Sequence, residues 1–143
     1  MPKHSETRVV PHTPEQMYSL VADIARYPEF LPWCVGARIV QQTEQRIVAD
    51  LLIGFKVFRE RFRSTVDLDP VAHTIDVAYV DGPMRYLENH WRFNEHAEGC
   101  EVDFRVDFEF RSLLLRKAIE PLFHEAVRRM VAAFEERAEA LDS

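Results

Sequence analysis

The sequence predicts an α+β fold in which a curved antiparallel sheet of seven strands wraps around a long C-terminal helix. Three observations predict it. From Cys100 to Phe110 every second residue is apolar (Cys100, Val102, Phe104, Val106, Phe108, Phe110), and charged residues stand between. That period of two describes a strand with one dry face and one wet face. After Ser112 the apolar spacing becomes helical and runs almost to the end of the chain. Between residues 35 and 94 only strand-like segments and turn residues occur, so successive strands are antiparallel neighbours, and sheet twist curls so many of them.

Each element has its own signal. Ser5 to His12, around Arg8-Val9-Val10, is a short first strand. Thr13-Pro14-Glu15-Gln16 opens a helix: Thr13 is the N-cap, Pro14 takes the first helical position, and Gln16 completes a capping box. Met17, Leu20, Val21 and Ile24 give this helix an apolar face, and Tyr27-Pro28 should stop it. Glu29 to Trp33 reads as a second helical turn ended by Pro32. Strands follow at Val35–Gln42, Arg46–Phe55, Val57–Leu68, Thr74–Val80 and Tyr86–Asn94, and Glu98-Gly99 turns into the Cys100 strand. Gly54 marks a bend or a tight approach. The terminal helix runs from about Ser112 to Ala140, and Pro121 should kink it near Ala118 because proline removes a backbone donor.

Composition narrows the functional classes. The 143 residues form one domain by size, with 47% hydrophobic residues and dispersed charge. Net charge is −6, and no run of Lys or Arg tracks along a face, which argues against DNA as a partner but leaves room for a local basic patch. Cys34 and Cys100 are far apart and read as reduced, buried thiols. No apolar run reaches the roughly 18–20 residues of a membrane span, and no signal-peptide core begins the chain; the expected location is cytoplasmic.

Reactive constellations are sparse. His90, His96 and Cys100 are the one close group of soft metal ligands, but no shared element fixes their geometry, so no metal is expected. No nucleophile elbow occurs, and no catalytic residues are assigned. Glu101, Asp103, Asp107 and Glu109 share a solvent face and are suited to cross-strand pairing with Arg92 or Arg105. Arg59, Arg61 and Arg63 share one face of their strand, where they can meet Asp50 or Asp76; the alternatives are a solvated face and an anion or RNA site.

The inward faces carry more information. They are Ile47, Ala49, Leu51, Ile53 and Phe55; then Phe58, Phe62, Val66 and Leu68, with Glu60 and Ser64 in the same parity; then Ile75, Val77 and Tyr79; then Leu87, Asn89, Trp91 and Phe93. Polar groups among them must find partners, because burying one unpaired costs about 1–3 kcal/mol. Tyr79 and Asn89 either bond each other or the backbone, or orient a ligand in an apolar pocket.

Three segments, Tyr27-Pro28-Glu29-Phe30-Leu31-Pro32-Trp33-Cys34, Gly82-Pro83-Met84-Arg85-Tyr86-Leu87-Glu88-Asn89-His90-Trp91-Arg92-Phe93 and Ala133-Phe134-Glu135-Glu136-Arg137-Ala138, resemble the coenzyme Q-binding START-like family. That family also contains a bacterial ribosome-association toxin and is often labelled polyketide cyclase or dehydrase. The resemblance implies a helix-grip fold (START-like, Bet v1-like) with a hydrophobic tunnel between sheet and helix. The tunnel is expected to be lined by Phe30, Leu31, Trp33, Leu51, Ile53, Phe55, Phe62, Val77, Tyr79, Asn89, Trp91, Phe104, Phe123 and Val127, with Phe30, Leu31 and Trp33 as a gate beside the Gly82-Pro83 loop.

The leading expectation is a non-enzymatic carrier or chaperone that binds ubiquinone or a related polyprenyl lipid as ligand, with no other cofactor. Such a carrier would support quinone synthesis and cellular respiration through transient contact with the inner-membrane surface. One alternative is a factor that binds the large ribosomal subunit and inhibits subunit association. A second is a polyketide cyclase or aromatase, which needs an acid–base pair inside, with Glu60 and Tyr79 or Asn89 as candidates.

Overall fold

In the computed structural model of the protein, residues 3–55 and 58–142 are described, with the side chains at 55, 58 and 142 outside the description. The expected strand start at Val57, and the side-chain roles expected of Phe55 and Phe58, lie outside the described residues. The elements are β1 (Lys3–Val10), α1 (Pro14–Ala22), a 3-10 turn (Ile24–Glu29), β2 (Cys34–Gln42), β3 (Arg46–Phe55), β4 (Phe58–Asp69), β5 (Thr74–Asp81), β6 (Met84–His96) and β7 (Gly99–Phe110). The chain closes with α2 (Leu113–Ile119), a second 3-10 turn (Glu120–Leu122) and α3 (Phe123–Asp142).

The strands form one seven-stranded sheet in the order β1-β7-β6-β5-β4-β3-β2, and every pair is antiparallel. β2 to β7 are thus a meander, while β1 returns to the far edge to pair with β7. The alternation of β7 is realised in its burial. Cys100, Val102, Phe104, Phe108 and Phe110 are buried, while Arg105 between them is exposed. Across the inner face, Trp91 meets Phe104 edge-on at 4.6 Å, and Phe108 meets Phe123 of α3 at 4.8 Å. Such aromatic pairs add stabilisation beyond the area they bury.

α1 begins as its sequence demands. The Gln16 backbone N–H donates to Thr13 Oγ1 (3.1 Å), and the Thr13 N–H donates to Gln16 Oε1 (2.7 Å), completing the capping box. Its end differs from expectation. The helix stops at Ala22, and Tyr27-Pro28 lies inside the following 3-10 turn instead of terminating α1. Asp23 leaves helical geometry, and the Tyr27 hydroxyl donates to the Val21 carbonyl, which satisfies an acceptor at the helix end. The second helical turn is therefore Ile24–Glu29 and not Glu29–Trp33.

The terminal helix is divided rather than kinked. Pro121 cannot donate to the carbonyl four residues back, and the chain tightens into the Glu120–Leu122 turn between α2 and α3. Ser112 caps α2 by accepting from the Leu115 N–H (3.3 Å). No helix among the described residues is long and apolar enough to cross a membrane.

Candidate functional site

The sheet, α1, the turn after it and α3 enclose a cavity of about 490 Å³. This size suits a small organic ligand. The floor comes from alternate residues of consecutive strands: Leu51 and Ile53 of β3, Phe62, Ser64 and Val66 of β4, Ile75 and Val77 of β5, Leu87, Asn89 and Trp91 of β6, and Phe104, Val106 and Phe108 of β7. Register makes the surface continuous: Leu51 is opposite Phe62, Val66 opposite Val77, Val77 opposite Asn89, and Leu87 opposite Phe108. Phe123, Ala126, Val127, Met130 and Phe134 of α3 form the roof at helical spacing. Val21, Ile24, Tyr27 and Leu31–Cys34 close one side. Leu122, Glu125 and Arg129 are both lining and exposed, so the cavity reaches the surface along the start of α3, beside a Glu125–Arg129 ion pair of 3.2 Å.

Of the expected tunnel residues, Leu31, Trp33, Leu51, Ile53, Phe62, Val77, Asn89, Trp91, Phe104, Phe123 and Val127 surround this one cavity. Phe30 and Tyr79 stand off the lining. Phe30 packs edge-on against Tyr27 and Phe134 and lies under the Arg137 guanidinium, 5.2 Å from its ring centre. Its position is that of a brace between the turn and α3. Tyr79 turns its hydroxyl to accept from the Met84 N–H (3.0 Å) across the β5–β6 connection. The two polar residues do not bond each other; Asn89 instead accepts from Trp91 Nε1 (3.0 Å) and donates to the Arg105 carbonyl (2.9 Å).

The turn ahead of β2 is held by an unusual backbone. Trp33 has φ +65°, a left-handed conformation uncommon outside glycine, and its carbonyl accepts from the Gly54 N–H at 2.8 Å. Gly54 thus serves a tight approach, with Val35 against the place a Cβ would fill. Gly82 stands against the neighbouring wall strand β4. At φ +147° a Cβ there would lie 2.6 Å from Phe62 Cβ, so glycine is required for contact with a wall strand.

A further polar residue of the sheet wall is Ser64, buried at 3% exposure. Its parity within β4 was the signal available in the sequence. Glu60, which shares that parity, is exposed near the strand end and off the lining. The thiols are unreactive in character: burial pushes Cys34 upward and Cys100 up to about 11. Burial, with Cys34 and Asp23 nearby, also holds the Tyr27 phenol well above its ordinary range. His90 bonds Asp76 (2.7 Å), His96 accepts from the Glu98 N–H (3.1 Å), and Cys100 is buried; these candidates do not converge. Among the described residues no group of three His, Cys, Asp or Glu side chains is placed to hold a metal.

On the outer face, Asp50 is buried at 5% exposure. It accepts from Arg63 Nε (2.8 Å) and Nη2 (3.1 Å), with Arg61 at 3.8 Å. The Arg63 hydrogen bonds hold its carboxyl below the usual range against the opposing effect of burial.

A curved antiparallel sheet gripping a C-terminal helix over an apolar chamber defines the helix-grip class of START-like and Bet v1-like domains. Solved structures agree. A START superfamily protein from Mycobacterium smegmatis superposes with TM-score 0.82 at 19% identity, covering 97% of this chain and 98% of its own. The Zhui aromatase/cyclase from Streptomyces sp. R1128 superposes with TM-score 0.86 at 17% identity over 96% and 93%. At these identities the likeness concerns fold alone. The 18 kDa protein CC1736 from Caulobacter crescentus is 35% identical, with TM-score 0.82 over 99% of each chain.

The chain belongs to the family described as polyketide cyclase / dehydrase and lipid transport, which matches residues 10–135. Two relatives are named ribosome association toxin RatA. The one from Rickettsia prowazekii is 37% identical over 92% of both chains, and the one from Escherichia coli K12 is 36% identical over 100% of this chain and 90% of its own. The mitochondrial coenzyme Q-binding protein COQ10 homolog B of Xenopus laevis is 36% identical over 95% of this chain and 57% of its own.

Proposed function

We propose that the chain acts on ribosome association, binding the large subunit and hindering its joining to the small one. The observation that carries this reading is similarity along the whole chain, at 36–37% identity, to bacterial proteins named for that role. It reverses the order expected from the family resemblance and the apolar inward faces, which placed a quinone carrier first. The test is subunit joining in a sucrose gradient. Added protein should shift 70S particles to free 50S and 30S and sediment with the 50S peak. An unchanged 70S peak at excess protein would refute it.

A second reading is supported by the cavity. We infer that it holds a quinone or polyprenyl lipid without turning it over. Support comes from aromatic and aliphatic walls, a volume suited to a headgroup with part of a tail, and the name of the Xenopus relative. Delivery of such a ligand implies transient contact with the inner-membrane surface. Organic extraction of the purified protein followed by mass spectrometry tests occupancy directly. Quenching of Trp91 by a soluble ubiquinone analogue should saturate and resist salt, because apolar burial has no counterion contribution. The acid–base pair expected of a cyclase or aromatase does not come together in the cavity: Glu60 is exposed, and the Tyr79 hydroxyl and Asn89 amide are engaged by the protein itself.

A further inference from the structure

We propose that the outer face of β2, β3 and β4 docks RNA, with arginines gripping its phosphate backbone; this rests on the ribosome reading for the source of that RNA. Arg59, Arg61 and Arg63 alternate along β4 on the side opposite the cavity. Register places Arg63 beside Asp50 and Asp50 beside Arg38, with Arg61 opposite Leu52 and Arg59 opposite Gly54. Three guanidinium groups, those of Arg63, Arg61 and Arg38, therefore act on one carboxylate, and Arg59 extends the row along β4.

Asp50 lies beneath them, committed to Arg63 through two hydrogen bonds and touched by Arg61 at 3.8 Å. Arg38 and Arg59 are exposed and form no ion pair among the described residues. Asp50 anchors the array, and with Asp81 opposite Arg63 on β5 it sets two carboxylates against four arginines, so the face keeps an excess of positive charge. Alternate residues on a strand stand roughly 6.6–6.8 Å apart, and strands roughly 4.8 Å apart, so the backbone positions that carry the cations form a regular grid. Guanidinium forks match phosphate oxygens in pairs.

The rest of the chain sharpens the contrast. Net charge is −6, and acid outweighs base on the far strand β7, where Glu101, Asp103, Asp107 and Glu109 stand with Arg105. This polarity turns the arginine corner toward a polyanion and the far strands away from it. A bilayer fits less well, because interfacial docking uses Trp, Phe or Leu among the cations, whereas the exposed apolar residues of β2 are the short Val35 and Val40, and the exposed Leu113 and Leu114 are on α2.

The test uses the full chain, a fluorescent 16-nucleotide single-stranded RNA, purified 50S subunits and vesicles containing phosphatidylglycerol. The variant is Arg59→Gln with Arg61→Gln, which spares the Arg63–Asp50 pair; a Lys3→Gln, Arg105→Gln variant on the far strands is the control. Wild type and control should bind the RNA with an affinity that falls as salt rises. The arginine variant should lose at least about tenfold and flatten the logarithmic salt slope by about 1.4, at 0.7 per phosphate contact released. Its thermal midpoint and quinone-analogue quenching should match wild type. Equal RNA binding by wild type and arginine variant, or binding to vesicles but not RNA, overturns the surface. RNA binding through these arginines without 50S cosedimentation upholds the surface and refutes the ribosome reading. Cosedimentation that is indifferent to the two arginines overturns the surface and leaves the ribosome reading standing.

Discussion

Trp91 Nε1 donates to Asn89 Oδ1 at 3.0 Å, and Asn89 in turn donates to the Arg105 carbonyl of the neighbouring strand at 2.9 Å. The amide that looked available to orient a ligand thus completes the wall of the cavity. It satisfies the indole N–H of the buried Trp91 and ties β6 to β7. Ser64 is the other buried polar side chain of the sheet wall.

Replacing Asn89 by Leu should leave the Trp91 N–H without its acceptor. The expected cost is about 1–3 kcal/mol of unfolding free energy in urea, with a shift in tryptophan emission. An unchanged urea midpoint and spectrum would show that the pairing contributes nothing.

Phe123 opens α3, is 4% exposed, and packs on Phe108. Phe123→Ala should cost about 3–5 kcal/mol through lost burial plus the cavity left behind. A thermal shift too small to measure would remove it from the core.

Phe30 and Leu31 should separate in their effects, since one braces the turn and the other lines the cavity. Phe30→Ala should lower stability with little change in affinity for a ubiquinone analogue. Leu31→Ala should weaken binding more than it weakens the fold. The two effects are read by thermal unfolding and fluorescence quenching. Reversed effects would restore Phe30 to the gate.

Asp50 gives a pH signature. Its folded carboxyl sits below the usual range because Arg63 bonds the charged form. A lowered folded value means the stabilisation is fully present above the unfolded value, near 3.9, and is lost as pH falls through the folded one. Asp50→Asn should therefore unfold at lower urea than wild type at pH 7, and the gap should narrow below about pH 4. A gap constant from pH 7 to pH 3 would contradict the pairing.

Cys100 is 0% exposed, and burial pushes its thiol up to about 11. At pH 8 both thiols should react with a disulfide reagent far more slowly in the native protein than in urea. Rapid native labelling of Cys100 would mean that the β1–β7 edge opens readily.

Most of the fold was legible because each signal was local. The capping box of Thr13 and Gln16, the alternation of β7 and the period change at Ser112 each depend on a few neighbouring residues. The end of α1 was not, because Tyr27 reaches back to a carbonyl six residues earlier and makes Pro28 part of a turn. Strand parity placed most of the cavity wall. It could not show that Tyr79 would spend its hydroxyl on Met84, or that Phe30 would sit behind the wall, because both depend on where another segment lands. Nor could it place Gly82 against Phe62, a contact across twenty residues of chain.

The return of β1 to the edge of β7 sets the order in which the protein can assemble. From β2 onward each strand pairs with the next one made, so those loop closures are short. β1 alone waits for a partner about a hundred residues downstream, where Val10 meets Cys100 and Lys3 meets Asp107. Non-local pairing of this kind is slow, since the loop entropy must be met before any contact repays it. During synthesis β1 leaves the ribosome well before β7 and is therefore among the last elements to dock. Until they do, the outer edge of β7 is an open template for another chain.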